Sequence, residues 1–280
     1  VGAGISGIGM AAHLQDRLPG KRFAIVERHA ELGGTWHIFR YPGIRSDSDM
    51  HTLGFAFAPW REEKSIADGP SILRYLHRIV DERGLGASIH YQHKLLNADF
   101  STATALWTVR METPEGERVM TAHWLYMGAG YYDHDAGHRP HFPGEREFSG
   151  TIVHPQFWPQ QLDHAGKRIV IIGSGATAVT LLPSLAQSAA HVTMLQRTPT
   201  WYIVRPSRDA LANRLRAILP ERWAYAVTRF KNVRLQNLLF KRARSAPDKV
   251  AAHLHEGIRK ELGADVDLSP FTPPYGPWEQ

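Results

Sequence analysis

Two glycine-rich turns carry the clearest chemistry in the chain. The first is Gly2-x-Gly4-x-x-Gly7, with Ser6 inside it and Glu27 standing twenty residues after Gly7. Glycine at those positions lets the backbone approach a pyrophosphate closely, and a helix opening there turns the positive end of its dipole toward the phosphate. A carboxylate at the end of the following strand can accept hydrogen bonds from the two hydroxyls of a ribose. The second turn is Gly173-x-Gly175-x-x-Ala178, with Ser174, Ala176 and Thr177 between, Val179 after, and Arg197 nineteen residues beyond Ala178. Arginine where the first motif has an acid suits a ribose 2′-phosphate, hence NADP rather than NAD, and Thr198 offers a hydroxyl beside it. Two dinucleotide motifs imply two cofactors. One is NADP(H); the other is most naturally FAD, which accepts a hydride and carries the harder chemistry.

Elements of matching type must position these residues. Residues 5–18 read as a helix with small residues on its inner side, and 22–27 as a buried strand. A Gly/Pro-rich loop, GGTWHIFRYPGIRSDSD, covers 33–49; taken alone, Asp47 in its SDSD reads as a turn or helix N-cap residue. A helix follows at 70–83, with Ile72, Leu73, Leu76, Ile79 and Val80 on one face. Short strands are expected at 88–91, 94–99, 106–111 and 118–124, with a further extended run at 124–130. From Lys167 the pattern restarts as strand 168–172, helix 176–187 and strand 191–196, and residues 208–262 read as helices broken at Pro220 and Pro247. The expected fold is α/β, with two Rossmann-like dinucleotide-binding domains: an incomplete FAD domain over 1–135, a linker over 136–166, and an NADP domain over 167–280 with a helical insertion at about 208–262. Val1, directly before the first turn with no strand to feed it, and the Pro-rich tail SPFTPPYGPWEQ both read as cut ends.

A composition of 43% hydrophobic and 21% charged residues over 280 positions is that of a soluble globular protein. No apolar run approaches the roughly 18 residues a membrane-spanning helix needs. The 280 residues hold no cysteine, which excludes a dithiol redox centre and thiolate zinc among them. The histidines lack any HExxH-type spacing, so no metal is assigned. Charge is uneven: between Arg205 and Lys260, fourteen Lys or Arg face four acids, a local balance of +10 in a chain of net +6. No nucleic-acid-binding module accompanies this excess, so no nucleic-acid partner is assigned. It reads first as a solvated helical face, with peripheral contact to an acidic membrane surface or an acidic partner as the alternative. The location expected is cytoplasmic, with membrane association through 205–260 as that alternative.

The remaining motifs carry a resemblance. Phe148-x-Gly150-x-x-x-His154-x-x-x-Trp158-Pro159 resembles the fingerprint of type I Baeyer–Villiger monooxygenases, and Gly34-Thr35-Trp36, Tyr41-Pro42-Gly43 and Asp47 resemble that family's second signature. The similarity covers nearly the whole chain and is greatest to the mycobacterial branch that activates thioamide prodrugs such as ethionamide. It implies that NADPH reduces FAD, that the reduced flavin activates O2, and that one oxygen is inserted beside the carbonyl of a small hydrophobic ketone to give an ester or lactone. Thioamides or sulfides can be oxygenated at sulfur by the same route. By the same resemblance FAD would contact Gly2, Gly4, Ser6, Gly7, Glu27, Thr35, Trp36, Asp47 and Leu95. Arg45, Ser46 and Asp47 would lie where flavin and nicotinamide meet, Gly173 to Val179 would hold the NADP pyrophosphate, and Arg197 with Thr198 would take its 2′-phosphate. Asp47 would orient a catalytic arginine expected just after Gln280. Phe148, His154 and Trp158 would anchor the linker that couples the two cofactors. An N- or S-hydroxylating flavin monooxygenase is the rival within the class, although its fingerprint lacks the Trp-Pro ending. A piece that binds dinucleotide without turnover is the rival outside it.

Overall fold

The computed structural model describes residues 1–279; Gln280, which closes the PWxQ stretch, lies outside the described residues. In chain order the elements begin α1 (Ile5–Arg17), β1 (Ile25–Val26), α2 (Thr35–Ile38), α3 (Met50–Leu53), α4 (Gly69–Glu82), β2 (Ile89–His90), β3 (Lys94–Ser101), β4 (Leu106–Thr113) and β5 (Gly116–Ala122). They continue β6 (Arg168–Ile172), α5 (Ala176–Leu185), β7 (His191–Leu195), α6 (Ala210–Ile218), α7 (Glu221–Ser245) and α8 (Pro247–Leu262). The α/β class, both turn–helix openings and the strand that leads into the second of them are therefore present. Two compact units result: Val1–Tyr41 with Gly69–Gln161, and Pro42–Asp68 with Leu162 to the C-terminal end.

In the first unit β1 pairs in parallel with β2, Ile25 opposite Ile89 and Val26 opposite His90. Because β2 is only two residues long, the strand expected over 22–27 shortens to its last apolar pair. Helix α4 packs Ile72, Tyr75, Leu76, Ile79 and Val80 inward, the i, i+3, i+4, i+7, i+8 stripe that a core-facing helix requires. Against it α1 contributes Gly7, Ile8, Ala11 and Ala12. Each large side chain buried there contributes about 1.5–3 kcal/mol. The antiparallel ribbon β3–β4–β5 carries a register shift between Leu95 and Asn97, and Val109 and Met111 of β4 pack with Val26 and Leu95. That small core fixes Leu95 beside β1. The run 124–130 does not form a strand: Tyr126 accepts from the Val1 nitrogen at 2.7 Å and Gly128 donates to the Val1 carbonyl at 2.8 Å.

In the second unit β6 and β7 are parallel, Arg168 opposite His191 through Ile172 opposite Leu195, and α5 joins them. Helices α6, α7 and α8 fall where the proline punctuation puts them. The chain boundaries differ from the expected 135 and 166. The stretch around the fingerprint stays with the first unit as far as Gln161, and residues 42–68, expected within the first domain, belong to the second. Polar bonds explain the second shift. Arg229 Nη1 donates to the carbonyls of His51, Thr52 and Gly54 at 2.7, 3.2 and 2.9 Å, Tyr225 donates to the Phe55 carbonyl, and Ser65 pairs with Ser207.

The keystone of this attachment is Asp49, only 1% exposed. Its carboxylate accepts from Asn232 Nδ2 at 2.8 Å, from Gln236 Nε2 at 3.3 Å and from the Thr52 amide at 3.1 Å. The helix N-cap role legible in SDSD thus falls to Asp49, which caps α3, and Asp47 is exposed. Removing one partner of a buried charged hydrogen-bond set leaves the others unsatisfied. Asp49→Ala is therefore expected to cost about 2–4 kcal/mol in urea unfolding, from its cap and buried bonds together. Asp47→Ala should change it by less than about 0.5 kcal/mol. Equal effects would contradict this division.

Candidate cofactor sites

The first glycine turn is closed at Gly2 and Gly7 by backbone contacts that leave no room for a side chain there. Gly2 lies at φ +92°, and a Cβ on it would sit 2.6 Å from the Gly128 carbonyl oxygen; one on Gly7 would sit 1.9 Å from that of Gly2. Gly2 donates to the Val26 carbonyl at 2.8 Å and Gly33 to that of Ala3 at 3.0 Å, which brings the GGTW loop onto the turn. Gly4 is the N-cap of α1 and supplies no side-chain cap. The first amides of α1 are thus left to other acceptors. Glu27, 4% exposed, accepts from the Ala3 amide through Oε2 at 2.7 Å and from the His29 amide through Oε1 at 2.9 Å. Each oxygen keeps lone-pair capacity for a further donor.

A cavity of about 270 Å³ opens at this point, bounded by Gly2, Gly4, Ser6, Glu27, Thr35, Trp36 and Leu95, with Lys94 and His134 also on its wall. Seven of the residues expected around FAD are thereby brought to one wall. Gly7 is buried behind them, where close packing of turn and helix needs it. Asp47, Arg45 and Ser46 do not line this cavity; they belong to the second unit, where Arg45 bridges to Asp68 and Ser46 Oγ accepts from the Ala67 amide at 3.2 Å.

The second turn is built differently. Gly173 lies at φ +121°, and a Cβ on it or on Gly175 would meet nothing within 4 Å, so space stands open above the turn. Gly175 caps α5, again without a side-chain bond. Ser174 Oγ donates to the Thr198 carbonyl at 3.1 Å, which ties the turn to the strand end that carries Arg197. Arg197 is exposed and Thr198 half-buried. The C-terminal segment braces this strand end, an arrangement the sequence does not announce. Gln196 Nε2 donates to the Pro270 carbonyl, Trp201 Nε1 to that of Tyr275, and Tyr275 to that of Pro199.

In the fingerprint, Phe148 folds its ring over Gly150, where a Cβ would lie 2.4 Å from Phe148 Cζ. The His154 ring lies against Gly137, whose Cβ would be 2.3 Å from it, and His154 Nδ1 accepts from the Gln156 amide at 3.3 Å. Gln156, buried, donates through Nε2 to the Asp133 carbonyl at 2.5 Å. Gly137 and Gln156 went unmarked in the sequence because their partners are distant along the chain. Trp158 is half-buried and Pro159 exposed.

A histidine pair adjoins the first cavity through His134. His29 Nε2 and His134 Nδ1 are 2.9 Å apart with stacked rings, a contact that needs one donor and one lone pair and so fails if both rings are protonated. Burial pushes both pKa values below the ordinary histidine value of 6.5, with Glu27 opposing. The folded state therefore binds fewer protons than the unfolded chain just below pH 6.5, and stability falls as pH drops through that window. Thermal unfolding followed from neutral to acid pH should show this loss beginning near pH 6.5, and His29→Gln with His134→Gln should make it shallower, the remainder coming from His37 and His51, which burial lowers in the same way. An unchanged slope would remove the pair from the account.

The described geometry is that of two Gly-turn dinucleotide units, and the chain belongs to the pyridine nucleotide-disulphide oxidoreductase family, whose model matches residues 1–237. Relatives that it matches carry the name FAD-containing monooxygenase. The FAD-containing monooxygenase EthA of Mycolicibacterium smegmatis is 48% identical over the whole of this chain, which spans 57% of that protein. Among solved structures, cyclohexanone monooxygenase of Rhodococcus sp. Phi1 bound to NADP+ superposes at TM-score 0.65 with 28% identity, over 78% of this chain and 41% of that one. OTEMO in complex with FAD and NADP gives 0.62 and 30%, over 71% and 38%. The chain thus spans little more than half the length of the curated relatives it matches.

Proposed function

We propose that this chain supplies the cofactor-holding machinery of a Baeyer–Villiger-type monooxygenase that acts on small hydrophobic ketones, with thioamides or sulfides as further substrates. The observation that supports it best is an asymmetry. Both helix N-termini are uncapped behind glycine turns, yet the neighbouring strand ends carry opposite charge, buried Glu27 in one unit and exposed Arg197 in the other. A carboxylate accepts hydrogen bonds from a ribose diol and repels a phosphate; a guanidinium does the reverse. FAD therefore suits the first site and NADPH the second.

FAD, when bound, accepts two electrons as hydride and passes them to O2. Over the whole reaction NADPH supplies the two electrons, one oxygen atom enters the carbon–carbonyl bond of the ketone, and the other leaves as water. The protein groups have narrower tasks. The amides at the start of α1 bind pyrophosphate, Glu27 orients the ribose, and Leu95 and Trp36 exclude water from the cavity wall. On this reading Asp47, Arg45 and Ser46 meet the nicotinamide end, Asp47 orients an arginine beyond Gln280, and Thr198 assists Arg197. The linker reading of Phe148, His154 and Trp158 belongs to the same proposal.

Incubation with FAD and NADPH tests it. Bound flavin, ketone-dependent NADPH oxidation and an ester or lactone product are expected; flavin binding without ketone-dependent turnover would leave a dinucleotide-binding piece. Oxygenation of amines with no ester from ketones would favour the hydroxylating rival. Loss of a charge-assisted contact costs about 1.5–3 kcal/mol. Arg197→Ala should therefore weaken NADPH binding roughly ten- to hundredfold while leaving NADH binding nearly unchanged, measured by fluorescence titration. Equal weakening of both would contradict the 2′-phosphate role.

A further inference from the structure

Helix α7 buries Ala224, Tyr225, Thr228, Asn232 and Ala243, and Asn232 with Gln236 joins the polar set around Asp49. Its outer face follows from the same periodicity: Trp223, Val227, Phe230, Arg234 and Lys241 recur at helical spacing and are all exposed. Trp223 is 68% and Phe230 64% exposed, and Ile218 at the end of α6 adds an aliphatic group at 75%. On this face Trp223, Val227 and Phe230 lie in the first half of α7 and Arg234, Lys241 and Arg244 in the second, with Leu235, Leu238 and Phe240 also exposed on the helix there; Arg234 lies over the Phe230 ring at 5.1 Å.

The cations are unmatched. Arg222, Arg234, Lys241 and Arg244 have no acidic partner among the described residues, whereas Arg61 takes Glu221 and Lys231 takes Asp209. A solvated polar face has no use for an exposed Trp and Phe, and a nucleic-acid groove has no use for the aliphatic patch. Aromatic and aliphatic groups that enter the headgroup region, flanked by lysine and arginine that meet anionic headgroups, suit one occupant. The geometry points to the outer face of α7 as a docking surface for an anionic lipid bilayer, with Trp223 and Phe230 inserted and Arg234, Lys241 and Arg244 on the headgroups. The contact is peripheral: among the described residues no helix is long and apolar enough to cross a membrane.

Co-sedimentation with vesicles tests this independently of the redox reading. The chain should sediment with phosphatidylcholine–phosphatidylglycerol vesicles at low salt, less at high salt, and little with phosphatidylcholine alone. Arg234→Gln and Lys241→Gln should each weaken partitioning by about fivefold. Trp223→Ser with Phe230→Ser should abolish it while the circular dichroism and unfolding midpoint hold. Three outcomes overturn the proposal. One is no sedimentation, or sedimentation indifferent to salt and to both sets of variants. Another is loss of self-association in light scattering in the Trp223→Ser, Phe230→Ser variant with vesicle binding intact, which would mark a face between copies. The last is binding by this chain that vanishes in a longer polypeptide containing it, which would assign the face to an intramolecular partner.

Discussion

The first unit depends on one buried carboxylate. Glu27 is nearly inaccessible, and burying a carboxylate costs several kcal/mol unless its oxygens are held by donors. The donors are backbone amides, one from the turn at Ala3 and one from His29. Satisfying the carboxylate therefore fixes the turn, and the turn in turn fixes where α1 begins and where the GGTW loop rests through the Gly33–Ala3 bond. The same acid that suits a ribose is the tie that shapes the phosphate cradle. Cradle and ribose acceptor are thus set together by one interaction.

The two turns solve one problem under different constraints. In the first, glycine is demanded by contact, because backbone from Gly128 and Gly2 occupies the space a side chain would need. In the second, nothing crowds Gly173 or Gly175, and the demand at Gly173 is conformational, a φ of +121° that only glycine adopts without strain. A substitution at Gly7 would thus have to move backbone. One at Gly175 would fill space above the turn, where an occupant of that site would approach.

Much of this was legible in sequence because its causes are local. The spacing of glycines, the terminal Glu27 and Arg197, the stripe on α4 and the proline breaks around α7 each depend on neighbours within a few turns of chain. What was not legible depends on partners far apart. The choice between Asp47 and Asp49 is made by Asn232 and Gln236, more than 180 positions away. Membership of residues 42–68 in the second unit follows from Arg229 and Tyr225 in the same way. The roles of Gly137 and Gln156 wait on which loop crosses the fingerprint.

Helix α7 joins these themes. Its inner face is polar where it meets Asp49 and α3, since Asp49 is buried and takes amide donors from Asn232 and Gln236, and α3 receives the Arg229 guanidinium at its carbonyl end. A helix has one period, so committing polar groups inward turns the positions between them outward. Those positions hold Trp223, Val227 and Phe230. Solvent offers them no compensation, and a helix selected only to seat Asp49 could carry Lys, Glu or Gln there at no loss to packing. The outward aromatics are thus unexplained by the fold, and the unmatched cations beside them are the second feature on which the proposed lipid contact rests.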